Sequence, residues 1–165
     1  MMSQGKASRT ILVTSGVGEG RTRLSAFDAA LWDAGIANFN LMKLTSIIPP
    51  GSVVEIGNPQ ANERGFGNRL YVVLAEKRET ESGREAWAGL GWVQAEDCKG
   101  MFVEHEGGQE AEVIRLIEES LRDMTRYRED EFGDIHHVVV GKRCKDKAVC
   151  AVVAAVYLEE RWPTD

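Results

Sequence analysis

The sequence predicts an α+β fold. Short runs of β-branched and apolar residues recur along the 165-residue chain, whereas only two stretches have the apolar spacing of a sizeable helix. The strand-like runs do not alternate regularly with helices, which argues against a doubly wound parallel sheet. The length and the 43% hydrophobic share are typical of a protein that buries one core, so residues 1–165 are expected to form a single domain.

In the N-terminal third, the pattern predicts a strand, a helix and a second extended segment. Thr10 to Ser15 (TILVTS) is the strand, which the glycine-rich GVGEG is expected to break. The helix runs from about Arg23 to Ala34, and Gly35 follows where a C-terminal cap belongs. Its expected buried face comprises Leu24, Phe27, Leu31 and Ala34. The chain is expected to be extended from Asn38 to Ile48, because Pro49 and Pro50 end a strand.

The remaining two thirds are dominated by strands. Six segments rich in β-branched, aromatic or small apolar residues are predicted as strands: 53–56, 70–76, 86–94, 100–106, 135–141 and 148–158. Residues 57–68 are expected to form a loop, and Gly83 a charged hairpin turn. A long amphipathic helix is predicted from about Gln109 to Arg128. Its expected buried stripe is Ile114, Ile117, Leu121 and Met124.

Composition and charge disfavour several classes of function. The net charge of −6 argues against a nucleic-acid interface, which needs clustered Lys and Arg. No segment approaches the roughly 20 apolar residues that cross a bilayer, and the N-terminus lacks the apolar run of a signal peptide. With three cysteines and no CxxC pair, the chain is expected in the reducing cytoplasm.

Two weaker patterns do not predict a ligand. His105, His136 and His137 show no metal-ligand spacing with the cysteines, so no metal is expected. The glycine-rich GVGEGRT lies between a predicted strand and helix, where other proteins bind phosphate. Its spacing fits neither the P-loop nor the dinucleotide-binding pattern, so nucleotide binding is not expected.

The strongest indication of function lies between Leu24 and Pro50. This segment contains an AFDxAL helix, an AGIxNxNL turn, and a Thr-Ser pair followed by two aliphatic residues and Pro-Pro. A second motif, GMFVEHEG, spans Gly100 to Gly107 ahead of the long helix. In these motifs and their order over nearly the whole chain, the sequence resembles the pyruvoyl-dependent arginine decarboxylase family.

The resemblance implies that the chain is a precursor that cleaves itself between Thr45 and Ser46. The Ser46 hydroxyl would attack the Thr45 carbonyl and convert the amide into an ester. Elimination and hydrolysis would then leave a pyruvoyl group, the covalent cofactor, in place of Ser46. The products would be the chains 1–45 and 46–165. Asn40 matches the family's asparagine implicated in cleavage and would hydrogen-bond the developing oxyanion.

The resemblance further implies decarboxylation of L-arginine to agmatine and carbon dioxide, with the pyruvoyl carbonyl binding the substrate amine. Glu104 is then expected to donate a proton to the resulting carbanion, if burial beside apolar neighbours such as Phe102 keeps it partly protonated. Glu106 has the same strand parity, so the pattern alone does not separate the two. Asp28 is expected to bind the guanidinium, and Thr45, with its new carboxylate, to line the pocket.

The implied fold is an αββα sandwich of mainly antiparallel sheets with two main helices. It would assemble into trimers or hexamers whose active sites are shared between subunits. The reaction would serve polyamine formation or acid resistance. Two alternatives stay open: the same chemistry on lysine, ornithine or histidine, and a binding protein that keeps the fold but is never processed.

Overall fold

Two helices cover the outer faces of two sheets in the computed structural model, which describes residues 8–164. The helices are α1 (Arg23–Asp33) and α2 (Glu110–Arg126). The strands, in chain order, are β1 (Arg9–Gly20), β2 (Asn40–Lys43), β3 (Ile47–Ile48), β4 (Ser52–Ile56), β5 (Arg69–Glu79), β6 (Glu85–Gln94), β7 (Gly100–Gly107), β8 (His136–Arg143) and β9 (Ala148–Glu160). Neither helix in this part of the chain is long and apolar enough to cross a membrane.

The strands form a five-stranded sheet A, in the order β2-β5-β9-β1-β4, and a four-stranded sheet B, in the order β3-β7-β6-β8. The pairs β1–β4 and β2–β5 are parallel, and the other pairs are antiparallel. The predicted α+β sandwich of mainly antiparallel sheets is confirmed.

Three apolar layers hold the sandwich together. The central layer fills the space between the sheets and includes Ile11, Leu90 and Phe102. A second layer lies between sheet A and α1, and a third packs Val113, Ile117 and Leu121 of α2 against sheet B. Strand β9 is apolar almost throughout because sheet B covers one of its faces and α1 the other.

The glycine-rich segment does not break the first strand, contrary to the prediction. Strand β1 continues through it to Gly20. Gly16, Gly18 and Gly20 recur with the period of a strand, and a Cβ on any of them would collide with atoms of α1. These glycines therefore let the helix approach the strand closely. Glycine inside a strand can mark such a close approach and not only an irregularity of the strand.

The buried faces of both helices differ in part from the predicted ones. Leu24 is 68% exposed, and α1 instead buries Ala26, Ala30 and Leu31. Small alanines fit here because α1 lies close to the β1 glycines. In α2 the fully buried stripe is Val113, Ile117 and Leu121, whereas Ile114 and Met124 are only partly buried.

The segment 38–48 is not one extended strand, contrary to the prediction. Strand β2 ends at Lys43 in sheet A, and β3 begins at Ile47 in sheet B. The Leu44 amide still donates to the Val72 carbonyl of sheet A at 2.9 Å. The chain therefore crosses from one sheet to the other within Thr45 and Ser46.

Candidate active site

Ser46 lies at the crossing between the sheets in a strained backbone conformation. Its φ is +78°, in the left-handed region that disfavours residues with a side chain. Such a conformation costs on the order of 1–3 kcal/mol and persists only where neighbouring contacts hold it. Ser46 is also only 7% exposed, so other atoms of the protein surround it on almost all sides. The strained residue is thus one of the two between which the family resemblance predicts cleavage.

Strand β7 supplies two of the contacts to Ser46. The Ser46 hydroxyl donates a hydrogen bond to Glu104 Oε2 at 2.8 Å. The Phe102 amide donates to the Ser46 carbonyl, also at 2.8 Å. The Glu104 carboxylate is thus in position to accept the hydroxyl proton when the oxygen attacks a carbonyl carbon.

The geometry distinguishes Glu104 from Glu106, which the pattern alone did not. Both side chains lie on the face of sheet B that is turned toward sheet A, as does Phe102. Glu106 forms an ion pair with Lys77 at 3.3 Å, whereas Glu104 faces Ser46. The expected burial of Glu104 does not hold within one chain, where its side chain is exposed. It is exposed because β3 pairs with β7 only at Gly100 and Met101 and leaves the edge beside Glu104 open.

Tyr157 is a residue of this site that the sequence analysis missed. Its hydroxyl donates to the Ile47 carbonyl at 2.9 Å, one peptide beyond Ser46. Its ring meets that of Phe102 edge-on, with centroids 6.1 Å apart. Burial, reinforced by the nearby Glu104 carboxylate, raises the pKa of the Tyr157 hydroxyl, so it stays a protonated donor. Its position 110 residues from Ile47 in the sequence explains why local patterns could not reveal it.

His105 follows Glu104 but points to the other face of β7. Its Nε2 lies 2.7 Å from the Ser120 hydroxyl of α2. Burial lowers the pKa of the imidazole, and the neighbouring Glu104 carboxylate opposes that shift. His105 therefore belongs to the contact between sheet B and α2, away from Ser46.

Asn40 is hydrogen-bonded to the loop before β5 and not to Ser46 of the same chain. Strand β2 runs from Asn40 to Lys43, so about 13 Å of extended chain lies between the Cα atoms of Asn40 and Leu44. The Asn40 side-chain amide donates to the Gly67 carbonyl at 2.8 Å, and its backbone amide donates to Asn68. No hydrogen bond within residues 8–164 joins Asn40 to Ser46 or Glu104.

Asp28 lies in a different layer of the sandwich from Ser46. It is an exposed residue of α1, outside sheet A, and forms no ion pair with another described residue. Its carboxylate is therefore available for an external cation. Thr45 is exposed beside the buried Ser46. One chain thus brings together Ser46, Thr45 and Glu104, and leaves Asp28 and Asn40 elsewhere.

A metal site has no support in the side-chain arrangement. Among residues 8–164, no group of three or more His, Cys, Asp or Glu side chains is placed to hold an ion. The side-chain groups that the described residues place at or next to Ser46 are the Glu104 carboxylate and the Tyr157 phenol.

Comparison with known proteins relates the chain to one family. The family model described as Pyruvoyl-dependent arginine decarboxylase matches residues 10–162. This chain belongs to that family. The match includes Thr45, Ser46 and Glu104, and extends beyond Tyr157.

Individual members of the pyruvoyl-dependent arginine decarboxylase family are similar over much of the chain. Pyruvoyl-dependent arginine decarboxylase 2 of Archaeoglobus fulgidus is 34% identical over 69% of this chain and 76% of its own length. The pyruvoyl-dependent arginine decarboxylase of Thermoplasma volcanium is 37% identical over 63% of this chain, and the match spans only 58% of that relative. That of Thermococcus sibiricus is 30% identical over 95% of this chain and 99% of its own length.

Proposed function

We propose that this chain cleaves itself between Thr45 and Ser46 and then decarboxylates L-arginine to agmatine and carbon dioxide. The observation that carries the proposal is the Ser46 hydroxyl, 2.8 Å from the Glu104 carboxylate at a strained, buried backbone position. A strained peptide beside a hydroxyl with its own proton acceptor is suited to an acyl shift. Family membership supplies the reaction and the substrate.

In the first stage, Glu104 accepts the hydroxyl proton while Ser46 Oγ attacks the Thr45 carbonyl carbon. The Thr45–Ser46 C–N bond breaks, an ester bond forms, and the freed nitrogen takes up a proton. Removal of the Ser46 Cα proton then expels the Thr45 carboxylate, which ends chain 1–45. Water replaces the nitrogen of the remaining dehydroalanine and releases ammonia, and chain 46–165 begins with a pyruvoyl group.

The residues around Ser46 fit a pyruvoyl group at this position. When formed, that group binds the substrate amine covalently and accepts the electron pair as carbon dioxide leaves. The Phe102 amide, already 2.8 Å from the Ser46 carbonyl, stabilises negative charge on that oxygen. Glu104 holds a proton for the substrate α-carbon, and the new Thr45 carboxylate lines the same space.

The proposed active site is shared between subunits of a homo-oligomer, a trimer or a hexamer. Asp28 and Asn40 do not reach Ser46 of their own chain, so a neighbouring chain supplies Asp28 for the guanidinium and Asn40 for the oxyanion. Exposed apolar side chains next to the site, Ile47 at 54% and Leu158 at 53%, support contact with another copy. That contact also removes water from Glu104, as proton donation near neutral pH requires.

Intact-mass analysis of the denatured protein tests the first stage. Two masses, for residues 1–45 and for a pyruvoyl-headed 46–165, are expected from the unmodified chain, and one full-length mass from Ser46→Ala. A wild-type chain that stays whole after long incubation would refute self-cleavage. Release of carbon dioxide from arginine, compared with lysine, ornithine and histidine, then tests the substrate.

Complementation tests the shared site. Asp28→Ala keeps Ser46 and Glu104, whereas Ser46→Ala keeps Asp28 and Asn40. Each variant alone is expected to decarboxylate arginine poorly. In oligomers of randomly mixed subunits, roughly a quarter of the sites would be complete. Such a site takes Ser46 from an Asp28→Ala chain and Asp28 from a neighbouring Ser46→Ala chain. Mixed oligomers as inactive as their parents would refute the sharing of Asp28.

A further inference from the structure

Tyr157 occupies an irregular position in the central strand of sheet A. Tyr71 pairs with Leu158 and Val72 pairs with Val156, so Tyr157 is the extra residue of a β-bulge. Its ring packs against the layer between the sheets, where it meets Phe102. From there its hydroxyl reaches across to sheet B and donates to the Ile47 carbonyl at 2.9 Å.

This hydrogen bond completes the support of the strained peptide. The Phe102 amide holds the Ser46 carbonyl at 2.8 Å, and the Tyr157 hydroxyl holds the next carbonyl along the chain. Strand β3 is only two residues long, so few ladder bonds fix this part of the chain. A left-handed serine relaxes unless such contacts hold it. A phenylalanine at position 157 would supply the same packing but no donor.

We propose that Tyr157 is a positioning residue: its hydroxyl holds the Ile47 carbonyl so that Ser46 stays in the cleavable conformation. After the cut, the same bond keeps the new N-terminal end beside Glu104. This inference rests on the proposed function, because it names a residue that supports self-cleavage and turnover without touching the reacting atoms.

The test compares Tyr157→Phe with Tyr71→Phe in the full-length chain. Tyr71 is a matched control, since its half-buried hydroxyl bonds Glu160 at 3.3 Å and not the cleavage segment. Each protein is made by cell-free translation, and the full-length and cut masses are followed over time. Thermal melts identify a temperature at which wild type and both variants are folded, and cleavage is measured at that temperature. Loss of one neutral hydrogen bond is expected to slow cleavage by Tyr157→Phe about tenfold and to leave Tyr71→Phe near wild type.

The cut enzymes provide a second readout. Per cleaved chain, Tyr157→Phe is expected to lower kcat several-fold with little change in KM for arginine, because a loosened N-terminal end affects the reacting group more than the guanidinium anchor. Cleavage and kcat of Tyr157→Phe within about twofold of Tyr71→Phe would overturn this inference alone. A wild-type chain that never cleaves would overturn the proposed function and this inference with it.

Discussion

Replacement of Glu104 by Gln isolates the role of the carboxylate in self-cleavage. In the wild-type chain the Ser46 hydroxyl donates to Glu104 Oε2 at 2.8 Å. Gln is nearly isosteric with Glu and keeps an oxygen that can accept this hydrogen bond. It cannot take up the hydroxyl proton. A positioned general base contributes about 10²–10⁴-fold. Gln can still hold the Ser46 hydroxyl in place through this hydrogen bond, so the lower value applies. Cleavage of Glu104→Gln is therefore expected to be about 100-fold slower than that of wild type.

Glu106→Gln is the matched control for this prediction. Glu106 lies on the same face of β7, but its partner is Lys77 at 3.3 Å. Removal of this surface ion pair changes stability by about 0–1 kcal/mol and leaves Ser46 untouched. The assay follows the loss of full-length mass with time. Equal rates for both variants would refute the assignment of Glu104 as proton acceptor. A loss of only about tenfold would show that the carboxylate orients the hydroxyl without taking its proton.

Two further predictions concern stability. Burial lowers the folded-state pKa of His105, so the unfolded chain binds the additional proton first and stability falls as the pH drops below about 6.5. His105→Gln is expected to lose less Tm than wild type between about pH 7.5 and 5.5, and equal losses would contradict this account. Gly18→Ala places a methyl against the α1 backbone, and overpacking of about 1–3 kcal/mol corresponds to a loss of roughly 2–12 °C in Tm. Gly108→Ala, where the nearest atom is 4.0 Å away, is its control, and equal melts would show that α1 yields to the methyl.

Much of the fold could be predicted because its strands and helices carry local patterns. The apolar run of β9 and the stripe of α2 identify those elements directly. The glycines of β1 misled the prediction, since glycine signals either a break or a close approach. Only the position of α1 on sheet A decides between these meanings. The same long-range contact explains why α1 buries alanines rather than Leu24.

The candidate site could be predicted only where motif and geometry coincide. Ser46 and Glu104 came from two separate motifs and are 58 residues apart, and the structure places them in hydrogen-bond contact. Tyr157 belongs to no such motif, and its role depends on a bulge that turns it toward Ile47. The apolar spacing of α1 predicts a helix but does not show on which side of sheet A that helix, and with it Asp28, lies. Spacing along one chain does not reveal whether a neighbouring subunit completes a site.

The crossing between the sheets explains how the proposed cut after residue 45 would leave the protein assembled. Residues 1–45 contribute β1, α1 and β2, and every strand that pairs with β1 or β2 belongs to residues 46–165. Strand β1 lies between β9 and β4, so the two products share one sheet and the apolar layers on both of its faces. The two new ends would lie on opposite sheets, because the Leu44 amide donates to sheet A and Ile47 pairs with sheet B. The proposed cleavage would thus relieve the left-handed strain at Ser46, while the fold itself would keep residue 46 beside Glu104.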